Sequence, residues 1–154
     1  MQINSHLVVH ENVHIEVLDG ALLDRGVWKV LDEQRVKNRV VTTGKTYLGL
    51  LLKGSHPAPT QIRVGTNAQA VALTDTALLN EVFGDVITQR VTITDGARFR
   101  FLLPTTAANG VSLVEAGIFG PSDLMLARVV YSAIAKTVSI AVNYSWDLTF
   151  SQIN

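Results

Sequence analysis

Three histidines recur at intervals of four near the start of the chain: His6, His10 and His14. On a helix this spacing would bring the imidazoles onto one face, where they could ligate zinc or nickel. The flanking apolar residues alternate with period two, however, which indicates a strand. His6 and His14 would then share a face but lie about 25 Å apart. We therefore expect no metal site within one chain, although three chains around a symmetry axis could each contribute a histidine.

The segment Gly44-Lys45-Thr46 matches the end of a phosphate-binding loop. The full pattern, GxxxxGK[ST], needs a glycine five positions before Gly44, where this chain has Arg39. The sequence contains no cysteine and none of the motifs GxSxG, HExxH, DxDxDG or GxGxxG. We predict no nucleotide, cofactor or metal.

Glu115 is the acidic residue whose surroundings most invite a catalytic interpretation, since the strand predicted around it is otherwise apolar. It could point outward, act as an acid, or form a structural ion pair with a base such as Arg128 on a neighbouring strand. We favour a structural position and predict that the protein is not an enzyme. The aromatic residues Tyr144, Trp146 and Phe150 could form a stacking platform, but their register with apolar neighbours predicts core positions. Trp28 is the better candidate for a surface or interface aromatic. A tryptophan is more often buried, however, so a core position remains the default prediction for it.

The charge content restricts the possible partners. The chain has 154 residues, with 13 Lys+Arg against 13 Asp+Glu and a charged fraction of 17%, whereas about 25% is usual in soluble domains. A net charge of zero argues against nucleic-acid binding, which depends on basic side chains that displace counterions. No apolar run reaches the ~18–20 residues of a membrane span, and the first residues lack a signal-peptide pattern. We interpret the scarcity of charge as a sign of surface covered by other subunits.

Alternating apolar residues predict most of the chain as strands. The clearest case is the segment from Val138 to Phe150, whose other face, from Ser139 to Thr149, carries small polar residues that we expect to lie against another subunit or sheet. Asp-Gly and Asn-Gly pairs favour tight turns at positions 19–20, 95–96 and 109–110. About eight or nine strands are predicted in all.

Two segments have helical spacing instead. Residues 43–53 place Tyr47, Leu48, Leu51 and Leu52 on one face, with Thr43 as a possible N-cap and Gly54 as the stop. Residues 75–83 could form a short helix capped by Asp75-Thr76. The predicted fold class is therefore all-β, an antiparallel β-sandwich of the jelly-roll type with one or two short helices. We expect an N-terminal β-hairpin or docking arm over residues 1–40 and the sandwich over 41–154, and the two could form one continuous domain.

Four segments in order, from Val40 to Phe150, resemble a family of small bacteriophage virion proteins. They are VVTTGKTYLGLLLKG, QIRVGTNAQAVALTDTALLNEVF, ANGVSLVEAGIFG and LMLARVVYSAIAKTVSIAVNYSWDLTF. Asn67 differs from the family pattern, which often has a glycine at this position, the second glycine of a Gly-Thr-Gly sequence. The matched residues that we take as candidates for structural or assembly roles are Asp75, Asn80, Glu81, Asn109, Gly110, Glu115, Arg128 and Trp146.

This resemblance implies a β-sandwich structural protein of the tail, baseplate or fibre apparatus, without enzymatic activity. It would act as a homo-oligomer, expected to be a trimer, together with other virion proteins, and would be located in the virion after assembly in the host cytoplasm. One alternative is a decoration or cement protein of the capsid head. Another is a carbohydrate- or receptor-binding module directed at a host-surface glycan or receptor, because jelly rolls commonly host such sites.

Overall fold

The predicted strands form two antiparallel sheets that pack face to face, as an all-β sandwich. The computed structural model describes residues 6–153, and the side chains of residues 8–151. Over that range the elements are β1 His6–Asp19, α1 Gly20–Leu23, β2 Val30–Lys37, β3 Arg39–Val40, α2 Thr42–Leu52, β4 Gln61–Gly65, β5 Glu81–Val86, β6 Gln89–Ile93, β7 Gly96–Leu103, β8 Ser112–Phe119, β9 Met125–Ala135 and β10 Ile140–Ile153. The first sheet has the order β2-β1-β10-β7-β6 and the second β3-β9-β8-β4-β5. The ten strands exceed the predicted eight or nine.

The two longest strands, β1 and β10, pair along their whole length at the centre of the first sheet, from His6 opposite Ile153 to Asp19 opposite Ile140. The hairpin of β1 and β2 is therefore hydrogen-bonded into the same sheet as the C-terminal strand. A docking role for residues 1–40 stays a prediction. The last strand begins at Ile140, so the inclusion of Val138 was wrong: its side chain is exposed.

The core lies between the inner faces of the sheets, where period-two alternation predicted it. Tyr144 and Trp146 are fully buried there, which confirms their predicted core positions. The same core cluster includes residues of both sheets: Val13, Ile15, Ile62, Val64, Phe101, Leu113, Ala116, Ile118 and Val129.

Two of the three predicted tight turns need a correction. Asp19 does not open a two-residue turn: its carboxylate accepts a hydrogen bond from the Leu22 amide at 3.1 Å and caps α1. At 95–96 the turn is displaced by one residue, since Gly96 already pairs with Ile93 while Asp95 has a φ of 59°. The 109–110 turn is confirmed, with Gly110 at a φ of 81°.

The predicted helix at 43–53 is observed as α2, and Gly54 follows it at a φ of 74°, as expected for the stop. Thr43 is not its N-cap, because Val41 occupies that position and Thr43 Oγ1 donates to the carbonyl of Met125. Leu52 does not belong to the buried face, since 85% of it is exposed. Over the described residues, no helix is long and apolar enough to cross a membrane.

The predicted helix over 75–83, with its Asp75-Thr76 cap, was wrong. Residues 75–80 form an irregular connection, and β5 begins at Glu81. The amides of Leu79 and Asn80 donate to the carboxylate of Glu115, and the Asp75 carboxylate accepts from the Ala72 amide. Tertiary hydrogen bonds therefore take the main-chain donors that a helix would have used.

Candidate functional site

Glu115 and Arg128 form a buried ion pair on the outer face of the second sheet. Strands β8 and β9 pair in a register that places Glu115 opposite Val130 and Arg128 opposite Gly117, so the two charged residues are diagonal neighbours on one face. Arg128 Nε lies 2.9 Å from Glu115 Oε2, and neither side chain is exposed. The pair predicted from the sequence is confirmed.

Residues 66–80, which we call the cover loop, enclose this pair. The Glu115 carboxylate accepts hydrogen bonds from the amides of Asn67, Leu79 and Asn80, at 3.3, 3.2 and 2.8 Å. The guanidinium of Arg128 donates to Asp75 Oδ2 at 3.0 Å and to the Gln69 carbonyl at 3.1 Å. A long irregular segment is thus held at both ends and in the middle by two side chains of the sheet.

Gly65 leaves room for the carboxylate at the point where β4 runs into the cover loop. A Cβ at this position would lie 2.5 Å from Glu115 Oε1 and 2.4 Å from the Asn80 carbonyl oxygen. The Asn80 side chain donates to Thr66 Oγ1 at 2.5 Å and ties the two ends of the loop together. Glu81 stands apart from this network, with its carboxylate 3.6 Å from Arg63.

A second polar cluster surrounds the 109–110 turn. Lys136, which is 1% exposed, donates from Nζ to Asn109 Oδ1 at 2.9 Å and to the Thr137 carbonyl at 3.0 Å. The Gly110 amide donates to the Lys136 carbonyl. Desolvation by burial lowers the pKa of the Lys136 ammonium. The contacts show that these residues fix the turn leading into β8.

The outer face of the first sheet holds a groove with a volume of about 470 Å³, which we call the sheet groove. Its floor includes Asn143 and Ser145 of β10, which are 4% and 5% exposed. Along one side, Glu16 accepts hydrogen bonds from Asn143 Nδ2 at 2.8 Å and from Trp28 Nε1 at 3.5 Å. On the β6–β7 side, Arg100 donates to Gln89 Oε1 at 2.7 Å.

Sequence reasoning did not find this groove. The default core position of Trp28 was wrong, because 51% of the residue is exposed. The small polar face of β10 was expected to lie against another subunit or sheet, and two of its residues, Asn143 and Ser145, line the groove. A contact of this face with another subunit stays a prediction. The groove could have been found only from the pairing of Glu16 with Asn143 across β1 and β10. That pairing depends on the register of the two strands, which local sequence pattern does not determine.

Of the three histidines near the start of the chain, the two whose side chains the structure describes have local partners. His10 and His14 occupy one face of β1, as predicted for a strand; His14 Nε2 lies 2.6 Å from Glu33 Oε2 and His10 Nε2 lies 2.7 Å from Ser151 Oγ. Within the described residues no group of three or more His, Cys, Asp or Glu is placed to hold a metal. The side chain of His6 lies outside the described residues, and a shared site between chains stays a prediction.

The glycine of the Gly44-Lys45-Thr46 segment has a packing role. A Cβ on Gly44 would lie 1.8 Å from the Leu126 carbonyl oxygen, so α2 approaches β9 closely only because this residue has no side chain. Comparison of the chain with protein-family models, curated proteins and solved structures finds no match.

Proposed function

We propose that this protein is a non-enzymatic structural subunit of a bacteriophage particle, associated with the tail, the baseplate or a fibre, and that it acts by oligomeric assembly. The main support for the proposal is the structural role of the residues that match the phage family. Asp75, Asn80, Glu115 and Arg128 meet in one network, built around the buried Glu115–Arg128 pair, that anchors the cover loop. Matched residues that fix architecture in this way suit a protein whose task is to present a stable surface to its neighbours.

An apolar surface at the edge of the first sheet supplies a candidate contact between subunits. Val27, Val30 and Leu31 are 48%, 40% and 51% exposed, and they lie in or just before β2, the edge strand of that sheet. An edge strand offers unpaired backbone groups, and adjoining exposed apolar side chains are typical of interaction surfaces. We propose that three copies associate through this edge.

Sedimentation of the purified full chain at micromolar concentration tests the assembly. We expect the mass of a trimer, and we expect Leu31→Asp to lower it to that of a monomer because the substitution places charge in the contact. Leu52→Asp is the matched control, since Leu52 is also exposed but lies on α2, which packs against the second sheet. A monomeric native chain, or equal effects of the two substitutions, would contradict the proposed contact.

The position and copy number of the chain in an intact particle test the location. Density in the tail, baseplate or fibre, in multiples of three copies, would support the proposal. Density only on the shell would favour the alternative of a head decoration protein, and absence from the particle would contradict both.

A further inference from the structure

We propose that the sheet groove is a binding site for a neutral oligosaccharide. This inference does not rest on the location of the protein in a virus particle. It rests on the size of the groove, on the arrangement of hydrogen-bonding groups along its sides, on an exposed tryptophan and on the balance of charge.

The groove is large enough to hold a small ligand. It lies on the outer face of the first sheet, which no other described residues cover. Its volume of about 470 Å³ falls within the ~300–1,000 Å³ of typical small-molecule sites. Asn143 and Ser145, which contribute to the floor, sit on the central strand β10, where strands pair on both sides. Polar groups on a fixed floor can orient a ligand without first becoming ordered themselves.

The two sides of the groove offer complementary hydrogen-bonding groups. The Glu16 carboxylate is an acceptor on one side, held in place by the Asn143 and Trp28 donors. The Arg100 guanidinium is a donor on the other side, and its bond to Gln89 uses only one nitrogen. A carboxylate retains further lone pairs and a guanidinium further N–H groups. Sugar hydroxyl groups both donate and accept, so a saccharide lying between the sides can satisfy both.

Trp28 adds the apolar surface that the C–H faces of a sugar ring require. Its indole N–H is directed at Glu16, and half of the residue remains exposed. Tryptophan is suited to sites of this kind because its large ring is apolar while its N–H is polar.

The charges favour a neutral ligand. Arg98 forms a two-point pair with Asp147, and His14 lies against Glu33. Among the described residues that line the groove, Glu16 and Arg100 are then the charged groups that form no ion pair. Their charges have opposite signs. A nucleic acid or polyanion would need an excess of basic groups.

Tryptophan fluorescence of the full chain provides a direct test. Trp28 is half exposed whereas Trp146 is fully buried, so a ligand in the groove should change the emission of Trp28 alone. The probes are soluble neutral oligosaccharides of hexoses and N-acetylhexosamines, with sialylated and uronate-containing oligosaccharides for comparison. We expect a saturable blue shift with at least one neutral oligosaccharide and no change of affinity between low and high salt. The absence of saturable binding across the panel, or salt-sensitive binding of acidic sugars only, would overturn the proposal.

Calorimetry with the sugar that binds then locates the site. Trp28→Ala and Arg100→Gln should each weaken binding by about tenfold or more, as expected for central contacts, while both variants stay folded at the temperature of the measurement. Trp28→Phe keeps a ring and should retain most of the affinity, and Arg39→Gln, an exposed arginine on the second sheet, is the matched control. Unchanged binding in both Trp28→Ala and Arg100→Gln would overturn the proposal, as would dissociation of an oligomer by Trp28→Ala, which would make the groove a subunit contact.

Discussion

Arg128 donates from Nε to Glu115 Oε2 at 2.9 Å, and both side chains are completely removed from solvent. Removing two charges from water costs several kcal/mol per ion, so such a pair persists only where further hydrogen bonds satisfy the remaining donors and acceptors. The cover loop supplies them through three amides to Glu115 and through Asp75 and the Gln69 carbonyl to Arg128. The pair and the loop therefore depend on each other.

We expect Glu115→Gln to lower the free energy of unfolding by about 3 kcal/mol, because it leaves the buried Arg128 charge without its closest counterion. Chemical denaturation followed by circular dichroism measures this value. Glu81→Gln is the control: Glu81 is partly exposed and lies 3.6 Å from Arg63, so we expect a change of about 0–1 kcal/mol. A loss for Glu115→Gln no larger than that of the control would contradict the structural role of the pair.

Two glycines should respond in opposite directions to the same substitution. Gly65→Ala should destabilise the protein by about 2 kcal/mol or more, since its Cβ would collide with Glu115 and the Asn80 carbonyl. Gly49→Ala should stabilise it by roughly 0.5–1 kcal/mol, because Gly49 is an exposed residue of α2 with free space around it. Thermal unfolding of both variants measures the difference. Equal shifts of Tm would show that the cover loop does not pack tightly against β4.

The strands and the core could be predicted from the sequence, because burial on one side of a sheet imposes period two directly on the residue types. In β10 this pattern correctly placed Tyr144 and Trp146 on the inner face. The Glu115–Arg128 pair could also be predicted, since charged residues in apolar strands require partners.

The remaining features depend on contacts between distant segments, which local pattern does not contain. The helical spacing at 75–83 was overridden by the carboxylate of Glu115, and Asp19 capped a helix instead of opening a turn. Trp28 was the better candidate for a surface aromatic but was given the core by default, and its exposed position is set by the α1–β2 connection beside Glu16. The sheet groove likewise arises only when β1, β7 and β10 are aligned in register.

The turn before β8 should depend on a single amide side chain. Asn109→Ala removes an acceptor from the buried Lys136 ammonium and a donor from the Thr105 carbonyl. We expect a loss of about 1–3 kcal/mol, the usual cost of leaving a buried polar group without a partner. Asn12→Ala, at an exposed position of β1, should change the stability by less than about 0.5 kcal/mol. Similar unfolding curves for the two variants would contradict a structural role for the Lys136 cluster.

Glu11 should make the stability of the protein depend on pH. The residue is 6% exposed, and among the described side chains neither carboxylate oxygen has a hydrogen-bond partner. Burial raises the pKa of Glu11 from 4.5 to about 8, and the neighbouring Asn38 side chain offsets a smaller part of the shift. The folded protein therefore holds this proton more tightly than the unfolded chain does.

Since the unfolded chain binds fewer protons between these two pKa values, the contribution of Glu11 to stability should fall as the pH rises from 4.5 to about 8 and stay constant outside that window. The slope should approach about 1.4 kcal/mol per pH unit. Glu11→Gln carries a neutral side chain of the same shape at every pH, so its stability relative to the native chain should increase across the window. Chemical denaturation over a pH series measures both curves, and parallel profiles would show that Glu11 is not desolvated in the folded protein.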